Sequence, residues 1–233
     1  MSDIERREIR YFFVSSLEKE IRTRIEGIEE LLLVEYPNSV TETLYFTYGQ
    51  KLSYVVPAGQ LVRIRRYVSG LSETMELGHE NVFLEVKINH SSDLNSKNRL
   101  VLPGATALSF LTKGMCIPSV SNALQSITHL PPLFPTIATQ TERRHWIHKS
   151  GVRITFDKEI RTFAFLEGSL KGCHIGSLGE GKIEFKLPKS SQIDTSLVQR
   201  AGANEMCTHE DPAYLERRLR ECFFQNIIER GKH

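Results

Sequence analysis

The stretches Leu61-Val-Arg-Ile-Arg-Arg-Tyr67 and Val82-Phe-Leu-Glu-Val-Lys-Ile88 decide the fold of this chain. Both alternate with a period of two, as expected of a β-strand whose successive side chains point to opposite faces. In the first, Val62 and Ile64 oppose Arg63, Arg65 and Tyr67; in the second, Val82, Leu84, Val86 and Ile88 oppose Glu85 and Lys87. A solvated strand face usually carries Thr, Ser and scattered Lys. Doubled arginines beside a Glu-x-Lys pair instead make a surface suited to an anion, because guanidinium groups present paired N–H donors to phosphate and carboxylate oxygens.

The pattern recurs on both sides of this pair. Upstream, Ile4 to Val14 places Arg6, Glu8 and Arg10 on one face before turning apolar, and Val40 to Tyr48 reads as a strand rich in Thr and Tyr. Downstream, Lys97 and Arg99 oppose Leu100 and Leu102, and Pro135 to His148 reads as a long strand carrying Arg143 and Arg144. Gly151 to Asp157 sets Arg153, Thr155 and Asp157 against Val152, Ile154 and Phe156, and Lys182, Glu184 and Lys186 face away from Ile183, Phe185 and Leu187. Thr162 to Leu166 is a further expected strand, Gly49 to Gly59 a loop or hairpin, and the glycine-rich Gly168 to Gly181 a mobile loop. Strand parity places Arg66 and Arg144 on the exterior. His145 and His148 lack a matching third ligand and are expected at the surface or in packing, and Tyr45, Phe46 and Trp146 are expected in packing.

Between the strands lie amphipathic helices. Ser15-Ser-Leu-Glu18 reads as a capping box, and Leu17, Ile21, Ile25, Ile28 and Leu31 then recur at helical spacing to about Leu33. Pro103 opens a helix over Ala105 to Lys113, Ser119 to Leu130 reads as another, and Asp211-Pro212 starts a third that runs to about Arg230, with Glu216 and Arg220 spaced for an i,i+4 pair. If the apolar strand faces point outward beneath these helices, the fold class is α+β and the charged faces line the inside of a closed antiparallel barrel. Buried cations without partners are costly, so such a lumen should hold water, glutamate partners and a polyanion. Residues two apart on a strand lie roughly 6.6 Å apart, a spacing at which neighbouring arginines can hold successive phosphates. Glu85 and Glu184, with Glu8 and Asp157 as further candidates, could hold a divalent metal, and magnesium or manganese suits such oxygen ligands.

Composition sets few further limits. A chain of 233 residues with net charge +2 fits one soluble domain over residues 1–233, with Pro131-Pro132 as the sole candidate hinge. Cys116, Cys173, Cys207 and Cys222 form no CxxC pair, which argues against a zinc or redox motif. The N-terminus has no apolar signal core, and the apolar run at Leu31 to Val34 is too short to cross a bilayer, so a cytoplasmic location is expected. The basic residues alternate inward without an exposed aromatic platform, which argues against nucleic acid as a partner.

The pieces Arg6 to Tyr11, Thr43 to Phe46, Val62 to Tyr67, Phe83 to Lys87, Lys97 to Arg99, Glu142-Arg143, Val152 to Asp157 and Ile183 to Lys186 come in a characteristic order. In that order the chain resembles the catalytic domain of the vacuolar transporter chaperone (VTC) polyphosphate polymerases, within the triphosphate tunnel metalloenzyme (CYTH-like) superfamily. The resemblance implies an eight-stranded tunnel that transfers the terminal phosphoryl group of ATP to polyphosphate. It implies that Arg63, Arg65, Lys87, Arg143 and Arg153 are catalytic phosphate-gripping residues, that Arg10, Lys97, Arg99 and Lys186 bind substrate, and that Glu184 binds Mn2+ or Mg2+. A membrane-protein partner is also implied, since eukaryotic members are tethered to membrane helices. Three positions depart from the pattern: Arg10 replaces a lysine, Thr141 replaces a tyrosine, and Cys222 to Asn226 stands where a Ser-Lys segment would lie.

Overall fold

The computed structural model describes residues 6–34, 39–48, 55–56, 60–89, 95–113, 132–165, 171–188, 195–209, 214, 217–219 and 221. Fourteen strands lie among these residues: β1 Arg6–Val14, β2 Leu31–Val34, β3 Val40–Tyr48, β4 Val55–Val56, β5 Gln60–Val68, β6 Thr74–Glu76, β7 Asn81–Asn89, β8 Asn95–Pro103, β9 Leu133–His148, β10 Arg153–Asp157, β11 Arg161–Phe165, β12 Lys171–Ser177, β13 Glu180–Pro188 and β14 Thr208–His209. The two longest described helices that cover them are α1 at Glu18–Glu26 and α2 at Gly104–Lys113. The main hydrogen-bonded path runs β14-β1-β13-β10-β9-β3-β5-β7-β8, and its ladders are antiparallel.

Register explains why the eight strands from β1 to β8 along this path share one charged face. Arg10 is opposite Glu184, Thr155 opposite both Glu184 and His145, Thr41 opposite both Thr141 and Tyr67, Arg63 opposite Glu85, and Glu85 opposite Arg99. Because the side-chain period is two, one such match fixes the parity of every other residue in the pair. The opposite face is apolar and forms two shells. Val62, Ile64, Leu84 and Val86 pack beneath Ala107, Leu108 and Leu111 of α2. Phe156, Ile183 and Phe185 pack beneath Ile21 and Ile25 of α1 and beneath Leu197 and Val198 of the short helix Thr195–Arg200. Each fully buried side chain of this size contributes about 1.5–3 kcal/mol relative to exposure.

The sheet is rolled rather than flat. Lys87 on β7 lies 3.8 Å from Glu8 on β1, although five strands separate β1 from β7 along the path. Among the described residues no backbone ladder joins β8 to β1, so the fold is an α+β arrangement of a mostly antiparallel sheet whose path stays open, and the two ends meet through side chains.

Local expectations fared unevenly. The first helix stops at Glu26, with Gly27 following, and Leu31–Val34 forms β2 on the edge of β9 instead of extending it. A run of consecutive leucines satisfies helical and strand patterns alike, and Glu30, with φ 64°, turns the chain between them. The expected capping box at Ser15 to Glu18 is a 3-10 turn without a side-chain cap. Within the glycine-rich stretch, Lys171–Ser177 is strand β12, paired with β11 and β6, and Glu180 opens β13. Gly172 serves packing there, since a Cβ on it would lie 2.3 Å from the Phe165 ring. The expected helix at Ser119 to Leu130 lies outside the described residues; of the expected C-terminal helix, Tyr214, Arg217–Leu219 and Glu221 are helical.

Candidate functional site

The inner face of the rolled sheet concentrates the expected site residues. On β5, β7 and β8 the centre is Glu85, whose side chain is fully buried and accepts from Arg63 Nε at 2.8 Å, Arg99 Nε at 2.8 Å and Lys97 Nζ at 2.6 Å. Burial alone would raise this carboxyl, but Arg63, Arg65 and Lys97 outweigh it and hold it well below the usual carboxylate range. Arg99 also stacks over Phe83, with its guanidinium carbon 4.3 Å from the ring centroid.

The wall formed by β1, β13 and β10 is arranged differently. Glu184 accepts from Arg10 Nε at 3.0 Å and lies 3.0 Å from Lys186 Nζ, while Glu8 pairs with the same Arg10, lies 3.5 Å from Lys186 and 3.8 Å from Lys87. Two carboxylates therefore share one arginine and one lysine. Burial works against ionisation of Glu184, yet Lys186, Lys182 and Arg10 keep it strongly acidic. Next to it Asp157 takes a two-pronged contact from Arg143, at 2.5 and 2.7 Å, and lies 3.0 Å from Lys182.

Two cations on this face have no carboxylate partner among the described residues. Arg65 donates to Thr43 Oγ1 at 3.1 Å, and burial together with Arg63 and Arg143 pushes its guanidinium below the ordinary arginine value. Arg153 shares the face of Thr155 and Asp157 at the other end of β10. Lys87 is pushed down to about 8 by burial and by Arg10, and Lys97 to about 8 chiefly by burial. Such a surface suits anions, because each added negative charge would relieve repulsion that the fold holds in place.

One end of the inner face is apolar. Phe12, Tyr45 and Ile137, each of inner-face parity, pack with Ile160, Leu178 and Leu219. Tyr214 and Arg218, near Leu219, reach Glu180 at 3.0 and 3.3 Å. Tyr45 thus packs as expected, as do Phe46 and Trp146. Arg144 lies on the outer face, 3.0 Å from Glu26 of α1, and Arg66 lies there too, paired with the buried Glu42 at 2.5 Å.

The structure brings Glu8 and Glu184 together and places Glu85 on the opposing wall, committed to three cations. No group of three or more His, Cys, Asp or Glu side chains among the described residues could hold a metal. The donor set at Glu8 and Glu184 suits a hard divalent cation held by one or two carboxylates and completed by water and phosphate oxygens, not a cage built by protein alone. The residue that sequence reasoning misplaced is His145. It faces the interior two positions from Arg143, with Nδ1 3.4 Å from Thr155 Oγ1, and its parity with Arg143 was the available signal.

A rolled antiparallel sheet with apolar faces outward under helices and paired charges inward defines the triphosphate tunnel class of fold. Two solved structures share it: a candidate adenylyl cyclase from Hippeastrum, titled as having a dominant triphosphatase activity, at TM-score 0.57 and 12% identity over 93% of this chain and 95% of that one; and a candidate adenylate cyclase from Bacillus halodurans, at TM-score 0.54 and 14% identity over 89% and 95%. The chain belongs to the VTC domain family, whose model matches residues 5–197. No curated protein matches the sequence.

Proposed function

We propose that this chain is a phosphotransferase that binds the triphosphate of ATP along the inner face of the rolled sheet and transfers the terminal phosphoryl group to polyphosphate. The observation that carries this reading is the pair of uncompensated arginines, Arg65 and Arg153, set on one face with Arg63, Lys87, Lys97, Arg99 and Arg143. Arg65 and Arg153 would take the phosphate oxygens first, since neither must leave a carboxylate to do so. Arg143, aligned by Asp157, and Arg10 and Lys186, held by the Glu8 and Glu184 pair, would offer their remaining N–H groups to the transferring phosphoryl group. Charge neutralisation and positioning supply most of the catalysis in phosphoryl transfer, so a wall of aligned cations is a sufficient protein contribution. A Mn2+ or Mg2+ ion held by Glu184 and Glu8 would add charge stabilisation on the phosphate oxygens.

A second reading, triphosphate hydrolysis with water as acceptor, is favoured by the apolar cluster at one end of the inner face, which suits a short triphosphate better than a long polyanion, and by the activity named for the Hippeastrum neighbour. The described residues include no helix long and apolar enough to cross a membrane, so an exit route for polyphosphate through a bilayer would need a membrane-protein partner. Nucleic acid remains a poor fit, because the cations face inward.

Incubating the purified protein with ATP and manganese and resolving the products tests both readings. Long-chain polyphosphate supports the polymerase, and orthophosphate alone supports the hydrolase. Saturable nucleotide binding without turnover would overturn both in favour of a binding module.

A further inference from the structure

The inner face has a direction. Phe12 and Ile137 belong to the apolar cluster at one end, with Leu61 packed against it, and from that end the inner side chains of β5 run Leu61, Arg63, Arg65 and Tyr67. The other end carries aromatic rings. Tyr67 meets Phe83 edge to face at 5.9 Å, and Val101, opposite Phe83 in the ladder of β7 with β8, is 53% exposed. Arg99 lies on this rim with its guanidinium both pinned and stacked. Its Nε and Nη2 donate to Glu85 Oε1 at 2.8 and 2.5 Å, and its Cζ lies 4.3 Å from the Phe83 ring centroid. Phe83 thus covers one side of the guanidinium and Glu85 one edge, while 38% of the side chain stays exposed. A planar cation fixed in this way loses little freedom when a second flat ring lies on it.

We propose that Arg99, stacked on Phe83, is the platform for the base of a nucleoside triphosphate whose phosphates run along the inner face to Arg65. This deepens the phosphate-binding reading and rests on it. Arg65 is opposite Phe83 in the ladder of β5 with β7 and has no carboxylate partner among the described residues, so an anionic group is drawn to it. Two strand spacings of about 4.8 Å separate β8 from β5, which sets a ring on Arg99 and Val101 roughly 10 Å from that strand. A base and the outer phosphates of one nucleotide lie apart on this scale. Bases stack on guanidinium planes as they do on aromatic rings, and exposed Val101 extends the flat apolar surface beside Arg99. The platform makes the site prefer a nucleoside triphosphate to inorganic tripolyphosphate, although the inorganic ion carries at least as much charge. Arg99 then contributes more than charge: a lysine keeps the charge and a contact with Glu85 but has no plane for a base to lie on.

The test is the ratio of affinities for ATP and inorganic tripolyphosphate, from calorimetric titration of the full chain without metal, for the wild type, Arg99→Lys and Arg65→Gln. The wild type should bind ATP the more tightly by about 10-fold, the scale of one stacked base. Arg99→Lys should bring the ratio close to one, whereas Arg65→Gln should weaken both ligands and keep the wild-type ratio. A wild-type ratio near one, or a ratio that Arg99→Lys leaves unchanged, overturns the proposal while leaving phosphate binding intact. No binding of either ligand to the wild type overturns the phosphate-binding reading beneath it. If Arg99→Lys fails to fold, proton NMR of the wild type saturated with ATP decides: nuclear Overhauser contacts from adenine H2 or H8 to the Val101 methyl groups support the platform, and adenine protons without contacts to Val101 or Phe83 overturn it.

Discussion

Glu85 and Glu184 occupy the same sequence frame, Glu-x-Lys on a strand, and the fold gives them opposite surroundings. Glu85 is enclosed by Arg63, Lys97 and Arg99, so three cations of its own wall point at one fully buried carboxylate. Glu184 shares Arg10 and Lys186 with Glu8, so no cation there belongs to a single acid. The first arrangement is a closed knot that ties β5, β7 and β8 together. The second can exchange partners, since a carboxylate that leaves Arg10 for a metal leaves that arginine still paired. A motif that reads alike in sequence thus yields a structural wall and an exchangeable wall, and the difference lies in how many strands bring a cation to each acid.

The largest effect expected from this contrast is on stability. Replacing Glu85 by Gln leaves three cations around a neutral side chain and should cost about 2–3 kcal/mol by denaturant unfolding, toward the low end for a broken buried pair because Lys97 and Arg99 reach solvent. The pH dependence follows in sign. The carboxyls of Glu85, Asp157 and Glu184 are held below their unfolded values, so their contribution is present above about pH 4.3 and is lost as pH falls through the folded values. Wild-type stability should therefore decline on acidification from about pH 4.3, and Glu85→Gln should show a shallower decline. A variant as stable as the wild type would remove the knot from the account.

A smaller effect separates compensated from uncompensated cations. Arg65→Gln should leave stability unchanged or raised, because it removes a buried charge that repels Arg63 and Arg143. It should weaken tripolyphosphate binding about 10- to 100-fold, the loss expected for one charge-assisted hydrogen-bonding group. Arg63→Gln should instead lower stability by taking a partner from Glu85. Equal behaviour of the two variants in both assays would erase the distinction. Smallest is the alkaline effect: Lys87 and Lys97 lose their protons near 8, so affinity for tripolyphosphate should fall by a few-fold per lysine as pH rises from about 7 to 9, and the Lys97→Met variant should show a flatter profile.

Much of this was legible in the chain. Two-residue periodicity assigned the inner face of strand after strand, and the exterior placement of Arg66 and Arg144 follows from the same count. What the sequence left hidden depends on contacts between distant segments. The saturation of Glu85 requires the registers of β5 with β7 and β7 with β8, and the sharing of Arg10 requires β1 to lie beside β13. Leu31 to Val34 was misassigned because its partner, the end of β9, lies more than a hundred residues downstream. The short helices Thr195–Arg200 and Ala203–Met206 are too brief to show a period, and only the burial of Leu197, Val198 and Ala201 reveals their role. His145 is hidden for a different reason: as a metal ligand it lacks companions in the sequence, and only its parity with Arg143 places it on the inner face.

The most direct test of the two-wall account is the rate of ATP turnover by Glu184→Gln, measured with manganese beside its denaturant unfolding. If Glu184 belongs to the exchangeable wall, turnover should fall by about 100-fold or more, as when a main electrostatic contributor to the transition state is lost, while stability falls less than for Glu85→Gln. Turnover at the wild-type rate in a folded Glu184→Gln protein would contradict the account.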